Sequence, residues 1–372
     1  MDRNIIERNK DIEHILLASC QYGFHRAGEA NFDKLFCLLA MTDPHRCRKQ
    51  LESAVQYLNY YDAIDCGICL GDIQGETFNE SDGSWYTSAI NRSNKEFFTV
   101  LGNHDLGNSC DIKISATPKM GMNRFMLPVK DKMGISELKE PYYVKLFDKY
   151  KIALIVLNTY DVPDILDTNG NYKYSRGLEM FSQQQLDWLI STLEKLESGY
   201  HVIIAMHNFF DKYKAFPDKW TQVGTEIDNR EEPLAYGNAH IVPSIINAWI
   251  HGKKFKAEYP AKISGLPTLN INCDFSPRGQ GDFICYLSGH WHMDTIAVDE
   301  KHPTQKIIYL ASMAMDLWQN GNCDLPRAEG TKAEDLLTAI SLHTKKREIR
   351  LVRIGSNYTL DLEERMYKII DY

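Results

Sequence analysis

Five apolar runs in this sequence each stop abruptly at a cluster of Asp, Asn and His, and that pattern restricts the fold more than any other feature. The clearest case is residues 97–105. Phe97-Phe98-Thr99-Val100-Leu101 is aromatic and β-branched, the composition of a buried strand. The run breaks at Gly102, where the backbone can turn sharply, and continues as Asn103-His104-Asp105. Residues 35–41 run into Thr42-Asp43-Pro44-His45, and 64–70 into Gly71-Asp72. Residues 202–206 run into His207-Asn208, and 283–288 into Gly289-His290-Trp291-His292. In open α/β sheets, ligands bind at the carboxyl ends of the strands.

The segments between these runs carry helical spacing. Residues 49–60 and 84–92 read as helices, so the first hundred residues alternate β-α-β-α-β. That order predicts parallel strands joined by right-handed crossovers. Residues 2–18 read as one amphipathic helix and 23–30 as a linker. The expected organisation is an N-terminal helical appendage, 1–32, and a single domain, 33–372, with insertions at about 106–140 and 208–281. Strands are also expected at 142–146, 152–157, 306–310, 336–342 and 348–354, with helices at 183–196 and 242–251. The second insertion is read as irregular apart from that last helix. The basic cluster Lys345, Lys346, Arg347, Arg350 and Arg353 reads as the solvated face of a hairpin.

Composition excludes several function classes. The chain has 372 residues, 44% hydrophobic and 25% charged, with a formal net charge of -8. An acidic balance argues against non-specific nucleic-acid binding. No apolar run approaches the ~20 residues of a membrane span. Met1-Asp2-Arg3-Asn4 begins no apolar core of a signal peptide, so a cytoplasmic location is expected. The nine cysteines are odd in number and several lie in apolar runs, which fits reduced thiols. The pair Cys66 and Cys69 is expected to be packing rather than a redox or zinc motif.

The strand-end clusters carry the chemistry. Asp43, His45, Asp72, Asn103, His207, His290 and His292 are seven candidate ligands, too many for one ion. Mixed nitrogen and oxygen donors suit borderline or hard first-row metals. Two ions bridged by one carboxylate is the natural arrangement.

The linear order Asp-x-His, Gly-Asp, Gly-Asn-His-Asp, His, Gly-His-x-His resembles the calcineurin-like metallophosphoesterase superfamily. The resemblance runs from about Lys34 to Gly355. The segment ending Arg353-Ile354-Gly355 looks like that of bacterial and phage members. It implies an α/β fold, a four-layer αββα sandwich with a dinuclear metal site at the carboxyl ends of the strands and long cap or loop insertions. It implies that Asp43, His45 and His292 hold one metal, that Asn103, His207 and His290 hold the other, and that Asp72 bridges them. His104 would be the acid beside the leaving oxygen, with Asp105 orienting its imidazole. The block His207-Asn208-Phe209-Phe210 departs from relatives that carry a proline two residues after the histidine.

The reaction expected from this resemblance is hydrolysis of a phosphoester by a metal-bridging hydroxide, with diesters favoured over monoesters. The alternatives are a phosphomonoesterase, including a protein phosphatase, a nuclease of the same superfamily, and a binding module that keeps the fold. The metals could be Mn, Fe, Zn, Ni or Mg. Arg124, Tyr160, Phe209, Phe210 and Trp220 are the residues of the loops and insertions most suited to contact substrate, although packing is the commoner role for such side chains.

Overall fold

The computed structural model describes residues 5–22, 33–75, 81–106, 116–170, 172–174, 178–209, 213–215, 235–236, 240–292, 294–314, 330–356 and 367–372. The chain opens with α1 (Ile5–Arg8), a 3-10 turn (Lys10–Ile12) and α2 (Glu13–Ser19). A two-stranded ribbon, β1 (Gln21–Tyr22) and β2 (Asp33–Lys34), leads into β3 (Phe36–Met41). Then follow α3 (Arg48–Tyr60), β4 (Cys66–Cys69), α4 (Ser81–Asn91) and β5 (Glu96–Thr99). Short helical turns come next, the first being α5 (Pro118–Gly121), before β6 (Tyr143–Phe147) and β7 (Ile152–Val156). The next elements are α6 (Gln183–Lys195), β8 (His201–Ala205), β9 (Tyr213–Ala215) and α7 (Ile241–Ile250). The strands β10 (Lys254–Tyr259), β11 (Leu269–Asp274), β12 (Asp282–Ser288), β13 (Thr295–Asp299) and β14 (Lys306–Tyr309) follow. The chain closes with β15 (Leu336–His343), β16 (Glu348–Gly355) and β17 (Tyr367–Asp371).

Two large sheets face each other. One has the order β17-β16-β15-β3-β4-β5, with β3, β4 and β5 parallel. The other has the order β6-β7-β8-β12-β14-β13-β9, with β7, β8, β12 and β14 parallel. Alternation of side chains along each strand decides which core they enter. On β7, Ile152, Leu154 and Val156 join the core between the sheets, while Ala153 and Ile155 face α6 and α7. Apolar residues of α3, α4 and the N-terminal helices pack on the first sheet. The result is a mixed α/β fold of four layers, helices outside and sheets inside, as expected. All the strands expected to end in polar clusters deliver those clusters to one end of the sandwich, where the loops after β3 and β4 pair. Asp43 N donates to Gly71 O at 3.0 Å, and His45 N to Asp72 O at 3.1 Å.

Several local expectations are corrected. The N-terminal helix is not continuous, and its residues 2–4 lie outside the described residues. Asn9 is fully buried, and its amide donates to Ile5 O at 3.1 Å and to Asp335 Oδ2 at 3.2 Å. A side chain that bonds locally to backbone competes with the helix, and the chain passes through the 3-10 turn there. The second insertion holds a hairpin, β10 with β11, whose alternating exposure is a clean period of two. The strands β13 and β17 escape the sequence reading as well. Arg353 does not belong to the solvated face: it is 2% exposed. The expected linker at 23–30 lies outside the described residues.

Cys66 and Cys69 are fully buried on β4, and burial pushes both thiols well up. A protonated thiol in an apolar layer is packing, not a redox pair. Among the described residues, no helix is long and apolar enough to cross a membrane.

Candidate metal centre

The centre is built on strained turns. Asp43, His45, Asp72, His290 and His292 all have positive φ, between 39° and 67°. For residues with a Cβ this region costs roughly 1–3 kcal/mol each, and it persists only where the surroundings enforce it. Two glycines allow the close approach. A Cβ at Gly102 would run into the Asp72 carboxylate, and one at Gly289 into Thr42 and Asp43. No other residue type fits these positions without moving a candidate ligand.

The expected ligands converge. Their donor atoms form three overlapping sets, each within 4.8 Å: Asp43, His45 and His292; His45, Asp72 and His104; Asp72, His207 and His290. His292 Nε2 is 3.1 Å from Asp43 Oδ1 and 3.2 Å from His45 Nε2. His207 Nε2 is 3.2 Å from Asp72 Oδ2. Asn103 Oδ1 is 3.1 Å from His290 Nδ1. Asp72 belongs to two of the three sets.

Hydrogen bonds behind the ligands fix their orientation. His207 Nδ1 donates to Leu70 O at 2.7 Å, and His45 Nδ1 to Gln74 O at 3.1 Å. Each bond leaves Nε2 pointing into the centre. Asp43 Oδ2 accepts from His290 N at 3.0 Å and from Thr42 Oγ1. Asp72 Oδ1 accepts from His104 N at 2.9 Å.

The electrostatics answer whether metal fits here. Burial alone would raise the Asp43 and Asp72 carboxyls, but the surrounding histidines hold both well below the usual range. Burial alone would lower His207, yet Asp72 and Asp43 carry it up to about 10. Burial wins at His45 and pushes it down to about 4. His207 Nε2 is buried without hydrogen-bond geometry to any partner. A neutral imidazole there would aim its lone pair at a carboxylate oxygen, two acceptors face to face. Only a proton or a cation relieves that, and the donor set of imidazoles, carboxylates and one amide suits divalent first-row metals.

Asp105 was expected to orient the His104 imidazole. Its carboxylate does not touch His104. It accepts four backbone N–H groups: Asp72 at 3.0 Å, Ile73 at 2.8 Å, Gln74 at 3.2 Å and Gly102 at 2.8 Å. Burial and the Asp72 charge push it up to about 7 against those donors. Asp105 therefore staples the loop after β4 to the loop after β5. His104 Nδ1 is buried without a partner among the described residues, and its Nε2 lies 3.8 Å from Asp72 Oδ2.

The expected substrate contacts divide. Arg124 Nη1 reaches Gln74 Oε1 at 3.4 Å, beside the centre. The Tyr160 ring is buried 6.1 Å from that of His207. Phe209 packs on Tyr286 in the second core. Phe210 and Trp220 lie outside the described residues. Sequence reasoning missed Gln74, whose Nε2 donates to His104 O at 2.6 Å, and Ser312, whose Oγ donates to Asp43 O at 2.9 Å. Gln74 sits two residues past Asp72 and was within reach of that signal. Ser312 lies in an apolar stretch with no ligand spacing and carried none.

The profile of the calcineurin-like phosphoesterases matches residues 38–294, more than half of the chain. The chain belongs to the calcineurin-like phosphoesterase family. Membership supports a metal-dependent phosphoester hydrolase. No curated protein sequence matches this phosphoesterase. Among solved structures it is similar to a protein from Thermus thermophilus, at 10% identity and a TM-score of 0.40, over 91% of this chain and 99% of that one. It is also similar to a purple acid phosphatase from yellow lupin seeds, at 9% identity and a TM-score of 0.43, over 87% of this chain and 52% of that one. A third is a phosphopantetheinyl hydrolase from Mycobacterium tuberculosis, at 12% identity and a TM-score of 0.34, over 75% and 89%.

Proposed function

We propose that this chain hydrolyses phosphodiesters with two divalent cations. The observation that carries the reading is the convergence of buried and half-buried acceptor atoms from the loops after β3, β4, β5, β8 and β12 on one small volume. Asp43, His45 and His292 would hold one cation, and Asn103, His207 and His290 the other, with Asp72 shared. When bound, the cations lower the pKa of water toward neutrality and neutralise phosphate oxygens.

The remaining work falls to side chains of the chain. His104 is 18% exposed at its side chain and, unlike His292 at 24%, is not needed to hold a cation, so it is free to meet substrate. It would place a proton on the leaving oxygen, as general acids do. Asp105 holds the two loops that carry Asp72, Asn103 and His104. Gln74 ties the His104 carbonyl to the neighbouring loop.

Preference for diesters is supported by the state of a nearby guanidinium. Arg46, the residue after His45, has its Nε committed to the buried Asp82 carboxylate at 2.7 Å. A dianionic monoester gains most from guanidinium pairs that are not already matched. The test is a panel of chromogenic mono- and diesters with manganese, alongside single- and double-stranded nucleic acid. Faster turnover of diesters is expected. Selective turnover of monoesters or nucleic acid would replace the substrate reading, and no turnover of any member would overturn the enzyme.

A further inference from the structure

We propose that Arg353 is a positioning residue for the metal centre, acting through Asp294 to hold Asp43 and His292 in register. The proposal rests on the reading of the centre as a two-cation site. It starts from a residue that the sequence pattern assigns to a solvated hairpin and the structure buries.

Arg353 lies on β16 in the six-stranded sheet, opposite Thr338 of β15, which in turn pairs with Ala40 of β3. Its Nη2 donates across the gap between the sheets to Asp294 Oδ1. Asp294 immediately precedes β13 of the other sheet and sits two residues past His292. The same Oδ1 accepts from Ala311 N at 3.1 Å. Ala311 begins a strap over the first metal loop. Ser312 Oγ donates to Asp43 O at 2.9 Å, Met313 N to Thr42 O at 2.9 Å, and Ala314 N to Asp43 O at 3.2 Å. One half-buried carboxylate thus ties the His292 loop to the strap, and the strap grips the backbone of Asp43.

The tie matters because both ends are strained. Asp43 has φ of 50° and His292 of 55°, and their ligand atoms stand 3.1 Å apart. Strain of this kind persists only under enforcement by the surroundings. Without the guanidinium, Asp294 loses the cation paired with it across the sheets. It turns toward water, and its hold on Ala311 weakens. A lysine keeps the charge but not the planar fork.

The experiment titrates manganese into the full-length, chelator-stripped protein by calorimetry, with thermal melting run in parallel. The wild type is expected to show two binding events. Arg353→Met is expected to weaken one of them by roughly 10- to 100-fold, the usual effect of losing a partner that orients a ligand, and to leave the other near its wild-type affinity. Arg353→Lys is expected to fall between. If Arg353→Met does not fold, Asp294→Asn carries the test, with a smaller weakening of the same event. Unchanged affinities in a folded variant, with only a lower melting temperature, would reduce the pair to packing and overturn the proposal. Equal weakening of both events would overturn it as well. A wild type that binds no manganese would instead strike the two-cation reading itself.

Discussion

Replacing Asp105 by Asn tests how the centre is held together. The side chain is fully buried, and its two oxygens divide four backbone donors. Oδ1 takes Ile73 N at 2.8 Å and Gln74 N at 3.2 Å, while Oδ2 takes Asp72 N at 3.0 Å and Gly102 N at 2.8 Å. An amide of the same shape keeps one oxygen. Its NH2 group then faces two N–H donors, and both lose their acceptor. Hydrogen bonds to a charged group are worth about 1.5–3 kcal/mol each, so the lost bonds come to about 3–6 kcal/mol, offset in part because the amide also removes the charge that burial and Asp72 penalise. Total stabilities are only about 5–15 kcal/mol, so the change is large. The assay is urea denaturation of the metal-free protein at pH 8, above the value of about 7 to which burial and Asp72 push this carboxyl. The midpoint should fall with the slope unchanged. Metal content should fall too, since either freed pair, Ile73 with Gln74 or Asp72 with Gly102, lies in the loops that carry Asp72 and Asn103. A loss below about 1 kcal/mol with full metal content would refute the reasoning. A variant that lost turnover alone would restore the imidazole-orienting role instead.

Other outcomes follow from the same geometry. His104→Ala should lower turnover of a diester with a poor leaving group by roughly two to four decades while metal content stays at the wild-type level, and an unchanged rate would remove the acid role. Chelated protein should lose the stability owed to His207 as pH rises. With the folded value up to about 10 and the unfolded one near ~6.5, that contribution is complete below ~6.5 and disappears through about 10. In metal-loaded protein the bound imidazole carries no proton, so this contribution should rise as pH passes ~6.5, where the unfolded histidine loses its proton, and stay level above it. Melting temperatures between pH 6 and 10, with chelator and with manganese, check both signs, and a chelated protein that grows more stable on this interval would contradict the assignment.

The fold was legible to the extent that strands are buried on both faces. Such strands are continuous apolar runs with abrupt ends, and β3, β4, β8 and β12 lie within a few residues of their expected places. The convergence of Asp43, Asp72, His207 and His292 followed from one rule about where parallel strands end. What stayed hidden depends on partners remote in sequence. Arg353 reads as one more cation in a basic run until Asp294, 59 residues away, is brought beside it. Asp105 reads as the neighbour of His104 because adjacency is all a sequence offers, whereas its carboxylate turns back onto the loop after β4. Asn9 breaks a helix whose apolar spacing is sound, because it is buried against Asp335. The hairpin of β10 and β11 had its period of two in plain view, overshadowed by the prolines around it.

The most direct test of the central claim is anomalous diffraction at the manganese edge from crystals of the full-length protein grown with manganese. The account predicts two peaks in one pocket, the first against Asp43, His45 and His292, the second against Asn103, His207 and His290, with Asp72 between them. A single peak, or peaks only elsewhere on the surface, would contradict it.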